Sequence, residues 1–108
     1  MNLEEYQKQA KKTALYPEAY QLLYPTLGLA GEAGELANKV KKVLRDHGGH
    51  LTPEVREAIV LELGDVLWYV AQVATDLGVS LEEVAQRNLA KLQSRMVRGQ
   101  LGGSGDKR

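Results

Sequence analysis

The sequence predicts an all-α fold: an antiparallel four-helix bundle over residues 1–98, followed by a flexible, basic, glycine-rich tail over 99–108. Three observations carry this expectation. Apolar residues recur at three- and four-residue intervals through four separate segments. Two of those segments open on strong capping signals, Thr52-Pro53 and Ser80 with Glu83. No stretch alternates apolar and polar residues between turn residues, as a half-buried strand would. Short connections between helices favour antiparallel neighbours.

The first segment runs from Leu3 to Leu15, with Leu3, Tyr6, Ala10, Thr13 and Ala14 on one side and Pro17 after its end. The second starts near Thr26, after Pro25, and continues to Asp46, with Leu29, Leu36, Val40 and Val43 in register; Gly48 and Gly49 stop it. In the third, Thr52 is the N-cap and Pro53 stands in the first turn. Its apolar set is Val55, Ile59, Leu63, Val66, Val70, Val73 and Leu77, and Gly78 ends it. The fourth opens with the capping box S-L-E-E at Ser80, carries Val84, Leu89, Leu92 and Met96, and fades near Gly99.

With 108 residues the chain fits one domain with a thin core, which makes self-association an economical way to bury apolar surface. Acids and bases balance at 14 each, so net charge offers no reason to expect a nucleic acid polymer. The balance is uneven along the chain. The stretch Lys91–Arg108 carries a net +4 and the rest −4, an acidic body with a basic end. There is no cysteine, which excludes disulfides and thiolate metal sites. The N-terminal MNLEEYQKQAKK is too polar for a signal peptide, and no uninterrupted apolar run has the length to cross a bilayer. A cytoplasmic protein without a membrane partner is the expectation.

The chemistry-bearing pattern is a pair of acidic pairs. The second segment contains E-A-G-E, Glu32 and Glu35, and the third contains E-L-G-D, Glu62 and Asp65. Each pair is spaced i, i+3, so its members share a helix face at the edge of the apolar stripe. If the two stripes pack together, the four carboxylates converge at one border of that contact. Acids so placed repel one another unless protons or cations intervene, and hard oxygen ligands with room for water suit Mg²⁺. On this reading Gly31, Gly34 and Gly64 leave space beside the carboxylates. The alternative is a solvated edge, with Glu35 paired to Lys39 one turn on.

GLAGEAGEL, ELGDVLWYV, NLAKLQSR and GSGDKR, in that order, resemble the MazG-type nucleotide pyrophosphohydrolases of the all-α NTP pyrophosphatase superfamily. The resemblance runs from Thr26 to the C-terminus. It implies hydrolysis of nucleoside triphosphates to the monophosphate and pyrophosphate with Mg²⁺ (or Mn²⁺ in its place), often to clear non-standard nucleotides, by a homodimer or homotetramer. It implies that Glu32, Glu35, Glu62 and Asp65 ligate the metal, with Glu32 or Glu35 as proton acceptor. Gly31 stands where the family's EExxE motif has its first Glu. The resemblance further implies that Asn88, Lys91 and Arg95 face the phosphates. Lys39, Lys107 and Arg108 are further cations available to a phosphate.

Tyr69, one turn after Asp65, is placed either to stack on a base or to pack, and Trp68 is expected in the core or at an interface. The GSGDKR tail either reaches a site or is a linker. It is no P-loop, since it lacks the G-K-[S/T] ending and follows no strand. His47 and His50 of HGGH lack a third ligand and read as a surface turn. Three rivals stay open: a phosphoribosyl-ATP pyrophosphohydrolase, a dUTPase- or dCTPase-like enzyme of the same superfamily, and a non-catalytic helical oligomer with acidic surface pairs.

Overall fold

Asn2 starts the first helix, its side-chain oxygen accepting from the Glu5 amide at 2.8 Å. The helix, α1, covers Leu3–Lys11 and stops short of the expected Leu15. The amides of Lys12, Thr13 and Ala14 bond three residues back rather than four, and the Thr13 hydroxyl donates to Ala10 O at 2.7 Å, drawing off a carbonyl that the helix would use. A single 3-10 turn, Glu18–Tyr20, follows Pro17. Then come α2, Leu23–Asp46, α3, Pro53–Asp76, and α4, Leu81–Val97. The computed structural model describes residues 1–99 and 102–106, among which there is no strand. The expectation of phosphate contacts from Lys107 and Arg108 lies outside the described residues.

Helix α2 begins three residues earlier than the sequence suggested. Pro25 is accommodated in its first turn, where a missing N–H costs nothing, and is fully buried there. The residue before the helix, Leu22, has φ 67° and ψ −51°, and the Leu23 amide bonds Gln21 O at 2.7 Å. This is a γ-turn on the left-handed side, strained for a leucine by roughly 1–3 kcal/mol. Asp76 holds it in place: its Oδ2 accepts from the Leu22 amide and from the Tyr16 hydroxyl, each at 2.8 Å. Burial, followed by that hydrogen bond, pushes the Tyr16 hydroxyl up to about 12.

The α2–α3 hairpin is the main packing contact, and Gly48 and Gly49, both at positive φ, turn the chain between the two helices. Helix α1 lies on α3, and α4 packs against α1 and α3. Gly78 at φ 75° closes α3, with the Val79 amide bonding Ala74 O at 3.0 Å. Ser80 caps α4 by accepting from the Glu83 amide at 3.0 Å. Only that half of the expected capping box forms, because the Glu83 carboxylate turns to Arg87 at 2.7 Å.

One buried side chain joins three helices. The Gln7 amide donates to Thr75 Oγ1 and to Val79 O, both at 3.0 Å, and its carbonyl accepts from the Leu81 amide at 2.7 Å. Gln7→Leu is therefore expected to lower stability by about 2 kcal/mol, since it leaves the Leu81 N–H buried and unpaired. Urea unfolding with an unchanged slope checks this.

The buried apolar core is small, formed by Ala10, Val43, Ala71, Ala74 and Leu81. The Cα radius of gyration is 16.7 Å, against about 13 Å for a compact domain of this length. Large apolar side chains stay exposed along α2 (Leu44), α3 (Leu61, Leu63) and α4 (Leu89, Met96). Helix α3 is, by length and mean hydropathy, apolar enough to cross a membrane, a length of apolar helix that the sequence did not lead us to expect, and Glu62 and Asp65 sit in its middle.

Candidate metal centre

Antiparallel packing of α2 on α3 places Glu32 opposite Glu62 and Asp65. One carboxylate oxygen from each of the three lies within 4.8 Å of the other two, close enough to share an ion. Glu35 stays outside this group and is exposed. The same i, i+3 spacing brings both Glu62 and Asp65 into the group, so what leaves Glu35 out is the rotation of α2 on α3, which turns Glu32 and not Glu35 toward that pair. Lys39 does not pair with Glu35 as the surface alternative required. It crosses to α3, with Nζ 3.6 Å from Glu62 Oε1.

The triad is electrostatically unfinished. Glu62 Oε2 is buried and has no hydrogen-bond partner. The neighbouring Glu62 carboxylate, with which a proton could be shared, holds the Glu32 carboxyl above its ordinary value. Desolvation and the charges of Glu62, Asp65 and Glu35 push it the same way. An orphaned carboxylate oxygen beside a carboxylate driven to keep its proton is what a divalent cation would resolve. The donor set is all hard oxygen, contributed by two rigid helices. It fits Mg²⁺ with several waters retained, and Glu32, Glu62 and Asp65 are the residues that would hold it.

The sign of the pH effect follows. The folded protein binds the Glu32 proton more tightly than the unfolded chain does. Metal-free stability from this group is therefore present at low pH and lost as pH rises through its elevated folded-state pKa. The melting temperature of the metal-free wild type is expected to fall with rising pH across that range more steeply than that of Glu32→Gln. Mg²⁺ is expected to raise it at neutral pH in the wild type and not in the variant. Thermal melts with and without EDTA check both.

A cleft of about 340 Å³ opens beside the triad, lined by Thr13, Glu32, Asp65, Trp68 and Tyr69. The Tyr69 ring is seated on α2 at Gly28, where a Cβ would collide with its Cε1, Cζ and Cδ1 atoms. A Cβ at Gly31, Gly34 or Gly64 would meet nothing within 4 Å. The glycine that close packing requires is thus Gly28, one turn before Glu32. Trp68 is neither core nor remote: it lines the cleft, meets Tyr69 edge-on at 5.0 Å and donates from Nε1 to Thr13 Oγ1 at 2.8 Å. Its spacing could have shown this, because Trp68 and Tyr69 follow Asp65 by three and four residues and flank the same face. Thr13 carried no such signal, since its place depends on where α1 ends.

The α4 residues are elsewhere. Asn88 is exposed, and none of Asn88, Lys91 and Arg95 lines the cleft. Lys91 Nζ pairs with Asp106 Oδ1 at 3.0 Å. Arg95, only 4% exposed, donates from Nη2 to the Asp106 carbonyl at 2.8 Å. The Lys91 hydrogen bond, with Arg95 behind it, holds the Asp106 carboxyl below its ordinary range. Part of the glycine-rich tail therefore folds back onto these two cations.

Comparison with known proteins agrees with the all-α fold. The chain is 55% identical, over the full length of both, to the "Gene 37 protein" of Mycobacterium phage L5, whose name states no activity. No solved structure matches it. Residues 22–98 match the MazG nucleotide pyrophosphohydrolase domain, a span that contains all four acids and both helices carrying them, and the chain belongs to that family.

Proposed function

We propose that this chain hydrolyses nucleoside triphosphates, (d)NTPs, to the monophosphate and pyrophosphate in the presence of Mg²⁺, with Mn²⁺ as a substitute, as a nucleotide-pool house-cleaning enzyme of the cytoplasm. The observation that carries the reading is the convergence of Glu32, Glu62 and Asp65 within 4.8 Å at the mouth of an open cleft. Family membership supports pyrophosphohydrolase chemistry at that place. Bound Mg²⁺ would supply charge neutralisation for the triphosphate and acidify an attacking water.

The chain's own residues do the remainder. Glu32, Glu62 and Asp65 serve as ligands. Glu35, exposed and left out of the triad, is free to accept the proton of the attacking water at the α-phosphorus. Lys39, whose Nζ lies 3.6 Å from Glu62 Oε1, aims that carboxylate. Active chains work as a homodimer or homotetramer whose contacts cover the exposed leucines of α3 and α4. In such an assembly, Asn88 and Lys91 of a neighbouring copy meet the phosphates, and Arg95, buried beneath the tail, holds Asp106 beside them. Neither a nucleic acid polymer nor a membrane is a partner in this reading.

The deciding experiment is chromatographic detection of monophosphate and pyrophosphate from a panel of NTPs and dNTPs, with phosphoribosyl-ATP included, with and without Mg²⁺. Turnover of the nucleotides with release of pyrophosphate supports the reading. Absence of any metal-dependent turnover across the panel refutes it.

A further inference from the structure

A second cleft adjoins the acid-lined one. Its volume is about 360 Å³, and Thr13, Leu15, Tyr16, Pro17, Tyr24 and Trp68 form its walls. It shares Thr13 and Trp68 with the cleft beside the triad, so the two adjoin at these residues. Its character is different. Three of its six wall residues are aromatic, and Tyr16 and Tyr24 already stack at 4.8 Å with rings 20° from parallel. Leu15 is 90% exposed, an apolar side chain held over the opening with nothing upon it in this chain.

We propose that this aromatic slot takes the base of a nucleotide whose triphosphate lies at Glu32, Glu62 and Asp65, and that it holds the base by stacking rather than by reading its edge. The proposal rests on the reading of the triad as a triphosphate site. Stacking follows from what the walls have left to offer. The Thr13 hydroxyl is spent on Ala10 O and Trp68 Nε1, the Tyr16 hydroxyl on Asp76, and the indole N–H on Thr13. Rings and methyl groups remain, with the Tyr24 hydroxyl as the one side-chain head not so engaged. Every base has a π-face, so a surface of this kind is tolerant of base identity.

The slot's outer wall is held by an unusual device. Leu15, Tyr16 and Pro17 belong to the connection between α1 and α2, which ends in the strained turn at Leu22. Asp76, at the end of α3, binds both the Tyr16 hydroxyl and the Leu22 amide through one oxygen. Strain of this kind persists only where the surroundings over-determine it. Asp76 is therefore a positioning residue: it fixes Tyr16 against Tyr24 and sets the width of the slot without touching the base.

Trp68 is the chain's single tryptophan and lines both clefts, so its emission reports ligand in either, and the difference between nucleotide and tripolyphosphate isolates the base. The experiment titrates the full-length protein in Mg²⁺ with non-hydrolysable α,β-methylene analogues of dATP, dCTP, dGTP and dTTP, and separately with inorganic tripolyphosphate, following emission and calorimetric binding together. The expected result is a larger change in emission with all four analogues than with tripolyphosphate, and analogue affinities within about tenfold of one another. Trp68→Leu is expected to raise KM for the nucleotides by roughly 5- to 150-fold, the span that base–aromatic stacking covers, and Leu15→Ala to raise it by less, with kcat and tripolyphosphate affinity retained. Leu15→Ala, at an exposed side chain, keeps the test valid should Trp68→Leu fold poorly. Asp76→Asn is expected to raise KM in the same way with kcat held, a split that general destabilisation would not produce.

Four results would overturn the proposal. Equal quenching by tripolyphosphate and the analogues would show that the base lies elsewhere while leaving the triphosphate site standing. A preference above about a hundredfold for one base would show edge recognition instead of stacking. A change of oligomer size on light scattering in Leu15→Ala, with KM unchanged, would assign the slot to contact between copies. Failure of both the analogues and tripolyphosphate to bind would remove the triad reading, and the slot assignment with it.

Discussion

Glu62→Gln is expected to lower Mg²⁺-dependent turnover by roughly 100-fold or more and to leave the fold intact. Residues that only support a metal ligand cost about 10- to 100-fold when removed, and Glu62 is itself at the centre of the triad. It lies against Glu32, takes the Lys39 ion pair on one oxygen, and leaves its other oxygen buried and unpartnered. The amide keeps the shape and removes the charge. Repulsion within the metal-free triad falls, so the melting temperature without Mg²⁺ should hold or rise while the Mg²⁺-induced increase disappears. Steady-state kinetics paired with thermal melts check the two halves together. A variant that keeps full turnover, or that loses turnover only by unfolding, would remove Glu62 from the metal centre.

Gly28→Val is expected to cost about 3 kcal/mol of stability, the upper end for over-packing a filled contact, and to weaken Mg²⁺ binding at least tenfold. The reason lies in the register of the α2–α3 hairpin. Gly28 stands one turn before Glu32, and Tyr69, whose ring occupies the space over Gly28, stands one turn after Asp65. A side chain introduced there meets the faces of a ring that is itself held edge-on by Trp68 at 5.0 Å. The helices must part at the turn adjoining the triad, and oxygens that now lie within 4.8 Å of one another separate. Gly31→Ala is the control: the added methyl group meets nothing within 4 Å, so stability should hold or gain by up to about 1 kcal/mol from helix propensity. Denaturant midpoints and Mg²⁺ titration calorimetry of the two variants separate packing from propensity.

The elements themselves were legible along the chain because their causes are local. Thr52, Pro53, Ser80 and the glycines at 48, 49 and 78 mark helix ends through dihedral preference and capping, which neighbouring residues decide alone. The i, i+3 spacing of Glu32 with Glu35 and of Glu62 with Asp65 fixed which side of each helix carries acid, and the order of the motifs pointed to the family. Where local signals competed, sequence reasoning went astray by a turn. Thr13 ended α1 early by bonding back to Ala10 O, and Pro25 was absorbed into α2 instead of preceding it.

Which acids meet is a different kind of fact. It depends on the rotation of α2 about its axis when it docks on α3, and the collision of Tyr69 with anything larger than hydrogen at residue 28 sets that rotation. Once it is set, Glu32 falls into the triad and Glu35 does not. Lys39 crosses to Glu62, and Trp68 joins the cleft through a hydrogen bond to a residue 55 positions earlier. The sequence by itself determined the helices, their acidic faces and the family. Only the packed structure decided which three carboxylates share a point in space, because that is settled by contacts between residues far apart in the chain.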